Sequence, residues 1–407
     1  MKNVLVFPLI AAAVAFTTAT TTNDVPYSTR MIESVISRKQ GVVSSGAPTS
    51  FLESGILTLA IQSWLSMYSK HEDSKRVTTF AGYADSIIAS ISPSFTDPTV
   101  TATKPLDRLT IGQALLNIKA THGTLTKTQM DTLSTLNESL VLQKRNKHRG
   151  FWYYVYQDWS YLDGTFSFLP YMATAPGWSY EDMLLQIELL YQNTYDNKTE
   201  LVVHGYDASK TAVWANKVTG GSPFVWGRAL SWYLGGLVNT WEKLGGCKGG
   251  SDTACLRLAS TIETQANQLC KRIVTYADAA TGVWWQLPTF GGKQGNFLES
   301  SSTMLYTFAI LKGLRIGLLK EYGVSAHGLQ AAAMRAYDYA VTSKAFLVNN
   351  TDGTLDWEGT VAMCSLNSTA TYEYYVGRPI VRNHALGEGA FILASLEVER
   401  YATFGEN

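Results

Sequence analysis

Apolar residues recur along the chain at the three-and-four spacing of α-helices, in segments separated by short polar or glycine-bearing breaks. Leu52, Ile56, Leu59, Ile61 and Leu65 run along one such segment, Phe51–Lys70. The spacing predicts further helices over Arg30–Lys39, Val77–Ile91, Leu106–Thr121 and Lys127–Gln143. Ser179-Tyr-Glu-Asp182 has the form of a capping box ahead of Met183, Leu184, Ile187, Leu190 and Tyr191, and so starts another. Leu201–Val203 reads as a short strand. Trp226–Leu244 carries Leu230, Leu234, Leu237, Trp241 and Leu244 on one face, and Thr253–Tyr276, Ser301–Leu319, His327–Ser343 and Ala385–Arg400 complete the series.

A helix with one apolar stripe lies on a surface, whereas one apolar all round is buried. Ser301–Leu319 and Ala385–Arg400 are of the second kind, His327–Ser343 of the first. Eleven or twelve helices without regular strand alternation argue against an α/β barrel. No fixed repeat period supports a solenoid. The pattern predicts an all-α fold, a toroid of inner helices ringed by outer ones, as one domain over residues 28–407.

The N-terminus is of another kind. Lys2 precedes an apolar run from Val4 to Phe16, with small residues up to Ala19. That run is too short to span a bilayer and predicts a secretory signal over residues 1–19. Residues 20–27 are Thr-rich and polar, an expected disordered lead-in. No later charge-free apolar run has spanning length, so the mature protein is expected to be secreted and to have no membrane partner.

Composition narrows the chemistry. Formal net charge is zero, which leaves no electrostatic footprint for nucleic acid. Of the 4 cysteines, Cys247 and Cys255 flank a Gly-rich loop and are expected to bond, with Cys270 and Cys364 as the second bridge; three pairings remain open. Their spacing is not that of a metal site, and no cofactor or metal is expected. Sequons at Asn137, Asn197, Asn349 and Asn367 read as exposed loops. GxSxG, HExxH, P-loop and Rossmann patterns are absent, leaving acid/base chemistry.

The densest candidate is Trp159-Ser-Tyr-Leu-Asp163-Gly164, inside the aromatic run Phe151–Phe168. A carboxyl group placed among aromatic rings loses water, which disfavours its charged form. Asp163 is therefore a candidate general acid/base, against the alternative that it caps a helix starting near Thr165. Asp107, in Pro105-Leu-Asp-Arg, is a possible second acid, with N-capping as its competing role. His204, Trp214, Trp226, Arg228 and Trp232 follow in predicted loops and helix starts, and Glu299 and His384 later. Singly each has an ordinary structural role; together they resemble the rim of one cavity.

At this point the chain resembles a known family. Trp159-Ser-Tyr-Leu-Asp163-Gly, His204-Gly-Tyr-Asp207, Trp214-Ala-Asn, Trp226-Gly-Arg228-Ala-Leu-Ser-Trp232-Tyr, Asn296-Phe-Leu-Glu299-Ser-Ser and Gly387-Glu-Gly-Ala-Phe391 occur in the order found in the unsaturated rhamnogalacturonyl hydrolases, glycoside hydrolase family 105. The resemblance spans Leu52 to Leu396. It implies an (α/α)6 barrel of six helical hairpins and an oligosaccharide substrate, from which the unsaturated galacturonic acid left by pectin lyases is removed. It also implies Asp163 as general acid/base, Asp107 as the second acid, and His204, Trp226 and Arg228 as substrate-binding; Trp232, Trp159 and Trp214 join them as substrate-binding candidates from the tryptophans of the same cluster. Where that family commonly has Trp-Leu-Asp-Gly, this chain has Tyr161-Leu-Asp-Gly. An unsaturated glucuronyl hydrolase, a conventional two-carboxylate glycosidase and a non-catalytic sugar-binding protein are the competing expectations.

Overall fold

The computed structural model describes residues 25–320 and 326–404. The leader read at residues 1–19, and most of the lead-in, lie outside the described residues. Long helices alternate between two layers. The outer layer comprises α1 (Tyr27–Ser37), α3 (Ser74–Ile91), α6 (Lys127–Val141), α8 (Tyr180–Thr194), α10 (Thr253–Ile273) and α12 (Ala326–Thr342). The inner layer comprises α2 (Phe51–Tyr68), α5 (Leu109–His122), α7 (Thr165–Met172), α9 (Gly227–Leu244), α11 (Ser300–Arg315) and α14 (Ala385–Phe404). Two short helices, α4 (Pro98–Thr101) and α13 (Tyr372–Val376), lie in connections.

Each inner helix packs on the next: α2 on α5, then α7, α9, α11 and α14, which closes back on α2. The outer helices back this ring, as α3 does α2 and α10 does α9. This is the (α/α)6 barrel. Apolar patterning decides the layer. Along α10, Leu258, Ile262, Ala266, Leu269 and Ile273 form one buried stripe. On α9 burial runs through nearly every position from Gly227 to Val238.

Local chemistry sets the helix starts. Ser50 and Glu53 form a reciprocal capping box on α2, and Thr126 and Gln129 one on α6. Ser179 accepts from the Asp182 amide at 3.1 Å, but the return bond of the expected box is not made. Asp182 is one methylene shorter than Glu, and both its oxygens are taken by Arg145 at 2.7 Å. Two boundaries differ from the expectation. Helix α1 starts at Tyr27, so the lead-in is shorter than residues 20–27, and a 3₁₀ turn over Leu106–Arg108 precedes α5.

Cys247 and Cys255 are bonded, in the connection from α9 to α10. The expected second bridge is not formed: Cys270 and Cys364 are separate buried thiols. Cys270 faces inward on α10, while Cys364 lies beside the Gln286 amide at 3.5 Å. Burial pushes both thiols up to about 12, which keeps them neutral and unreactive. The Asn137 sequon is also corrected. It lies on α6 rather than in a loop, half-buried, accepting from Trp178 Nε1 at 3.1 Å. Asn197, Asn349 and Asn367 are exposed as expected. Among the described residues no helix is long and apolar enough to cross a membrane.

Candidate active site

Because the inner helices all follow outer ones, their N-termini open at one mouth of the toroid. Glu53, Asp107, Asp163, Arg228, Glu299 and His384 each lie within two residues of an inner-helix start. Six helices thus each bring one polar group to that mouth. Aligned N-termini also carry positive partial charge, which favours an anionic ligand.

Among the described residues four two-stranded ladders lie in the connections, and two shape the site. β1 (Trp159–Tyr161) pairs antiparallel with β4 (Gly205–Asp207), Tyr161 opposite Gly205. The Leu162 amide extends this ladder by donating to the His204 carbonyl at 3.0 Å. Asp163 and His204 are thereby fixed side by side. Only glycine fits at 205, since a Cβ there would lie 2.5 Å from the Ser160 carbonyl oxygen. β2 (Tyr195–Asp196) pairs with β3 (Leu201–Val202), the expected strand. β5 (Leu347–Asn349) pairs with β6 (Leu355–Trp357), and β7 (Thr360–Val361) with β8 (Ile380–Val381). The last pair closes the base of a segment, residues 362–379, that runs across the mouth.

Asp163 sits in a 3₁₀ turn and caps no helix, so the competing role is not the one the structure gives it. It is 7% exposed, and its Oδ2 lies 3.2 Å from His204 Nε2. His204 is buried between the rings of Trp226 (4.6 Å) and Tyr161 (5.2 Å), with Nδ1 2.8 Å from the Tyr375 hydroxyl. Gly164 serves close packing: a Cβ would meet Leu106 and Tyr153 at 3.2–3.3 Å.

Asp107 caps nothing either. Its Oδ2 accepts from the Tyr153 hydroxyl at 2.5 Å, and Tyr153 stacks on Tyr161 at 4.5 Å. Burial pushes the Asp107 carboxyl up to about 7, with Asp163 adding to the rise while the Tyr153 bond and Arg108 oppose it. Asp107 Oδ1, Asp163 Oδ2 and His204 Nε2 are all buried without a hydrogen-bond partner among the described residues. Buried polar atoms left without partners are costly, and their convergence here points to a place for ligand polar groups.

Arg228 is buried over the Trp226 ring at 4.9 Å and donates to the carbonyls of Val361 (2.6 Å) and Ala362 (2.9 Å). Glu299 lies 3.9 Å away but caps α11, accepting from the Ser302 amide, so it is a structural carboxylate. His384 faces Glu53 at 3.6 Å. Burial and the Arg228 charge lower its pKa to about 3, so it stays neutral. Trp159 and Trp214 meet edge to face at 5.0 Å beside β1. Trp232 is not brought to this group. It lies one turn deeper on α9, 1% exposed, packed on Phe166 at 4.7 Å.

Tyr153, Glu53 and Tyr375 were not singled out from sequence. Tyr153 had a signal in its aromatic run. Tyr375 had none, because its partner is 171 residues away.

A cavity of about 930 Å³ opens at the opposite mouth, among the C-terminal ends of the inner helices. Most of its charges have partners: Lys312 with Glu242 (2.8 Å), Arg315 and Arg400 with Glu397 (2.7 and 2.8 Å), and Lys243 with the Asn117 amide oxygen (2.9 Å). Among the described residues no carboxyl there combines burial with a vacant oxygen, so this cavity lacks the acid that the N-terminal mouth has.

A helical toroid with paired acids, a histidine and tryptophans at its N-terminal mouth is the arrangement expected of the six-hairpin glycoside hydrolases that the sequence resembles. The chain belongs to Glycosyl Hydrolase Family 88, whose family model matches residues 31–402. It is 30% identical over 223 residues to Protein Atu3128 of Agrobacterium fabrum, covering 53% of this chain and 89% of that protein. It is also similar to a family 105 glycoside hydrolase of C. acetobutylicum ATCC 824, at 27% identity and a TM-score of 0.77 over 92% of this chain and 99% of that one. An unsaturated glucuronyl hydrolase of Bacillus sp. GL1, described as responsible for glycosaminoglycan degradation, shares the fold at 12% identity and a TM-score of 0.59, over 92% and 95% of the two chains.

Proposed function

We propose that this hydrolase removes a 4,5-unsaturated galacturonic acid from the non-reducing end of rhamnogalacturonan lyase products, with Asp163 as its general acid/base. The observation that carries the reading is the vacant Asp163 oxygen, buried at the mouth where six helix N-termini converge and 3.2 Å from His204 Nε2. A uronate carboxylate suits that field. Arg228 supplies positive charge to it from below, its two Nη groups being held by the Val361 and Ala362 carbonyls, and the half-buried Trp159 offers a flat face for a sugar ring.

The substrate's C4–C5 double bond is an enol ether, since C5 bears the ring oxygen. Asp163 delivers a proton to C4, leaving an oxygen-stabilised cation at C5. Water adds at C5, and the Asp163 carboxylate takes the proton that water loses. The C5 hemiketal then opens to a ketone, and the hemiacetal formed at C1 expels the neighbouring sugar as an alcohol. One carboxyl group serves both proton transfers, and no nucleophile attacks the anomeric carbon.

Asp163→Asn keeps the shape and removes the proton donor. It is expected to bind the unsaturated disaccharide yet lose about a hundred- to ten-thousand-fold in kcat, read as bleaching of the double bond's ultraviolet absorbance. In heavy-oxygen water the wild-type enzyme is expected to label C5. Label at the anomeric carbon, or turnover of saturated galacturonides, would identify a conventional glycosidase. Preference for glycosaminoglycan lyase products over pectin ones would assign the glucuronyl specificity instead.

A further inference from the structure

The segment across the mouth, residues 362–379, is held from below by the residues that line the site. Trp214 Nε1 donates to the Leu366 carbonyl at 2.7 Å, and Arg228 to Ala362. Gln286 joins the two sides: its Oε1 accepts from Trp226 Nε1 at 3.0 Å, and its Nε2 donates to the Tyr375 carbonyl at 3.1 Å. Tyr375, on α13, is thus fixed by its backbone while its hydroxyl reaches His204 Nδ1 at 2.8 Å.

That contact selects the form of the imidazole. Which ring nitrogen carries the proton is set by the partner of the other nitrogen. If Nδ1 held the proton, the Nε2 lone pair would face Asp163 Oδ2 at 3.2 Å, lone pair against lone pair whenever Asp163 is ionised. If Tyr375 donates to Nδ1, the proton sits on Nε2, 3.2 Å from that oxygen, where its positive partial charge acts on the carboxylate without a formed hydrogen bond. Among the described residues the Tyr375 hydroxyl makes no other hydrogen bond, so its proton is free for this purpose. Burial also keeps that hydroxyl protonated well above the ordinary tyrosine range.

We infer that Tyr375 is a positioning residue: it donates to His204 Nδ1, so that the Nε2 proton faces Asp163 and supports its carboxylate state when water adds. The inference rests on the acid/base role of Asp163 given above, but its geometric part can be read without turnover.

The test has two readouts. Ring-nitrogen NMR of the full chain, with the His204 signals assigned by loss in His204→Asn, is expected to show the Nε2-protonated tautomer, changed or mixed in Tyr375→Phe. With the unsaturated disaccharide, Tyr375→Phe is expected to lower kcat about tenfold, the effect of one ordinary hydrogen bond, with KM held within about twofold. In the His204→Asn background the same substitution is expected to add nothing, as coupled groups are non-additive. The aromatic ring is retained and only the hydroxyl is lost, so the fold should survive; thermal unfolding checks it. An Nδ1-protonated His204 in the wild type, a tautomer unchanged in Tyr375→Phe, or equal losses in both backgrounds would overturn the inference. A wild-type enzyme inactive on the disaccharide but with the expected tautomers would instead defeat the proposed substrate and leave the positioning of His204 standing.

Discussion

The Tyr153 hydroxyl donates to Asp107 Oδ2 across 2.5 Å, and burial of that carboxyl more than offsets the bond. The two effects oppose each other. A donor favours the carboxylate, whereas loss of water favours the neutral acid, and the balance lies at about 7. Asp107 therefore changes charge near neutral pH, beside Asp163.

Rate should follow that charge. Ionised Asp107 repels an incoming uronate carboxylate, so kcat/KM is expected to fall as pH rises through about 7. Tyr153→Phe removes the donor that stabilises the carboxylate, which raises the Asp107 pKa further. The fall in kcat/KM is then expected at higher pH, measured from the full pH–rate profile on the unsaturated disaccharide. An unmoved limb would assign the titration to another group.

Stability should depend on pH through the same groups. Asp107 and Glu388 are both raised by burial to about 7, against unfolded values of about 4. Between those pH values the folded chain binds more protons than the unfolded one, so this contribution to stability is present in full below about 4 and lost as pH rises through 7. Thermal unfolding from pH 4.5 to 8 is expected to show these groups lowering Tm with rising pH, and Asp107→Asn to flatten the slope. A slope identical in that variant would place the titration elsewhere.

Helical periodicity made the layers legible because burial of one stripe or of all sides is written locally, as along α10 and α9. Asp163 was legible from its aromatic surroundings. The bonds that complete the site were not. Tyr375 meets His204 across 171 residues, and Arg228 reaches backbone carbonyls 133 and 134 residues on, which no spacing encodes. Trp232 was grouped with the site through its place in the Trp226–Tyr233 stretch. Helix geometry instead sets it a turn, about 5–6 Å, below Arg228. Cys270 and Cys364 were paired by compartment logic alone, and burial on separate elements overrode it.

Arg228 and Trp232 should consequently separate under substitution. Arg228→Lys keeps a charge but cannot hold two carbonyls and stack on Trp226 together. A KM increase of about tenfold, larger than the change in kcat, is expected for the unsaturated disaccharide. Trp232→Leu removes buried volume against Phe166 and is expected to cost on the order of 2 kcal/mol of stability with KM unchanged. Both KM and Tm must be measured for each. A raised KM in the Trp232 variant, with normal KM in the Arg228 variant, would reverse their assigned roles.

Export can be checked on the same preparation. We propose that residues 1–19 act as a cleaved leader, a reading supported by the Cys247–Cys255 bond, since such bonds form in oxidising compartments. Mass spectrometry of protein secreted by a host with an intact export pathway is expected to find a chain starting near Thr20. Alkylation should label no thiol in the folded protein and two after unfolding, at Cys270 and Cys364, because both are buried. Closing a short loop of this length limits the unfolded chain and contributes about 2–3 kcal/mol. Cys247→Ser with Cys255→Ser should therefore lower Tm without changing KM, as the bond lies at the C-terminal end of α9, away from the N-terminal mouth. A retained Met1 would reject the leader, and four thiols labelled after unfolding would reject the bond.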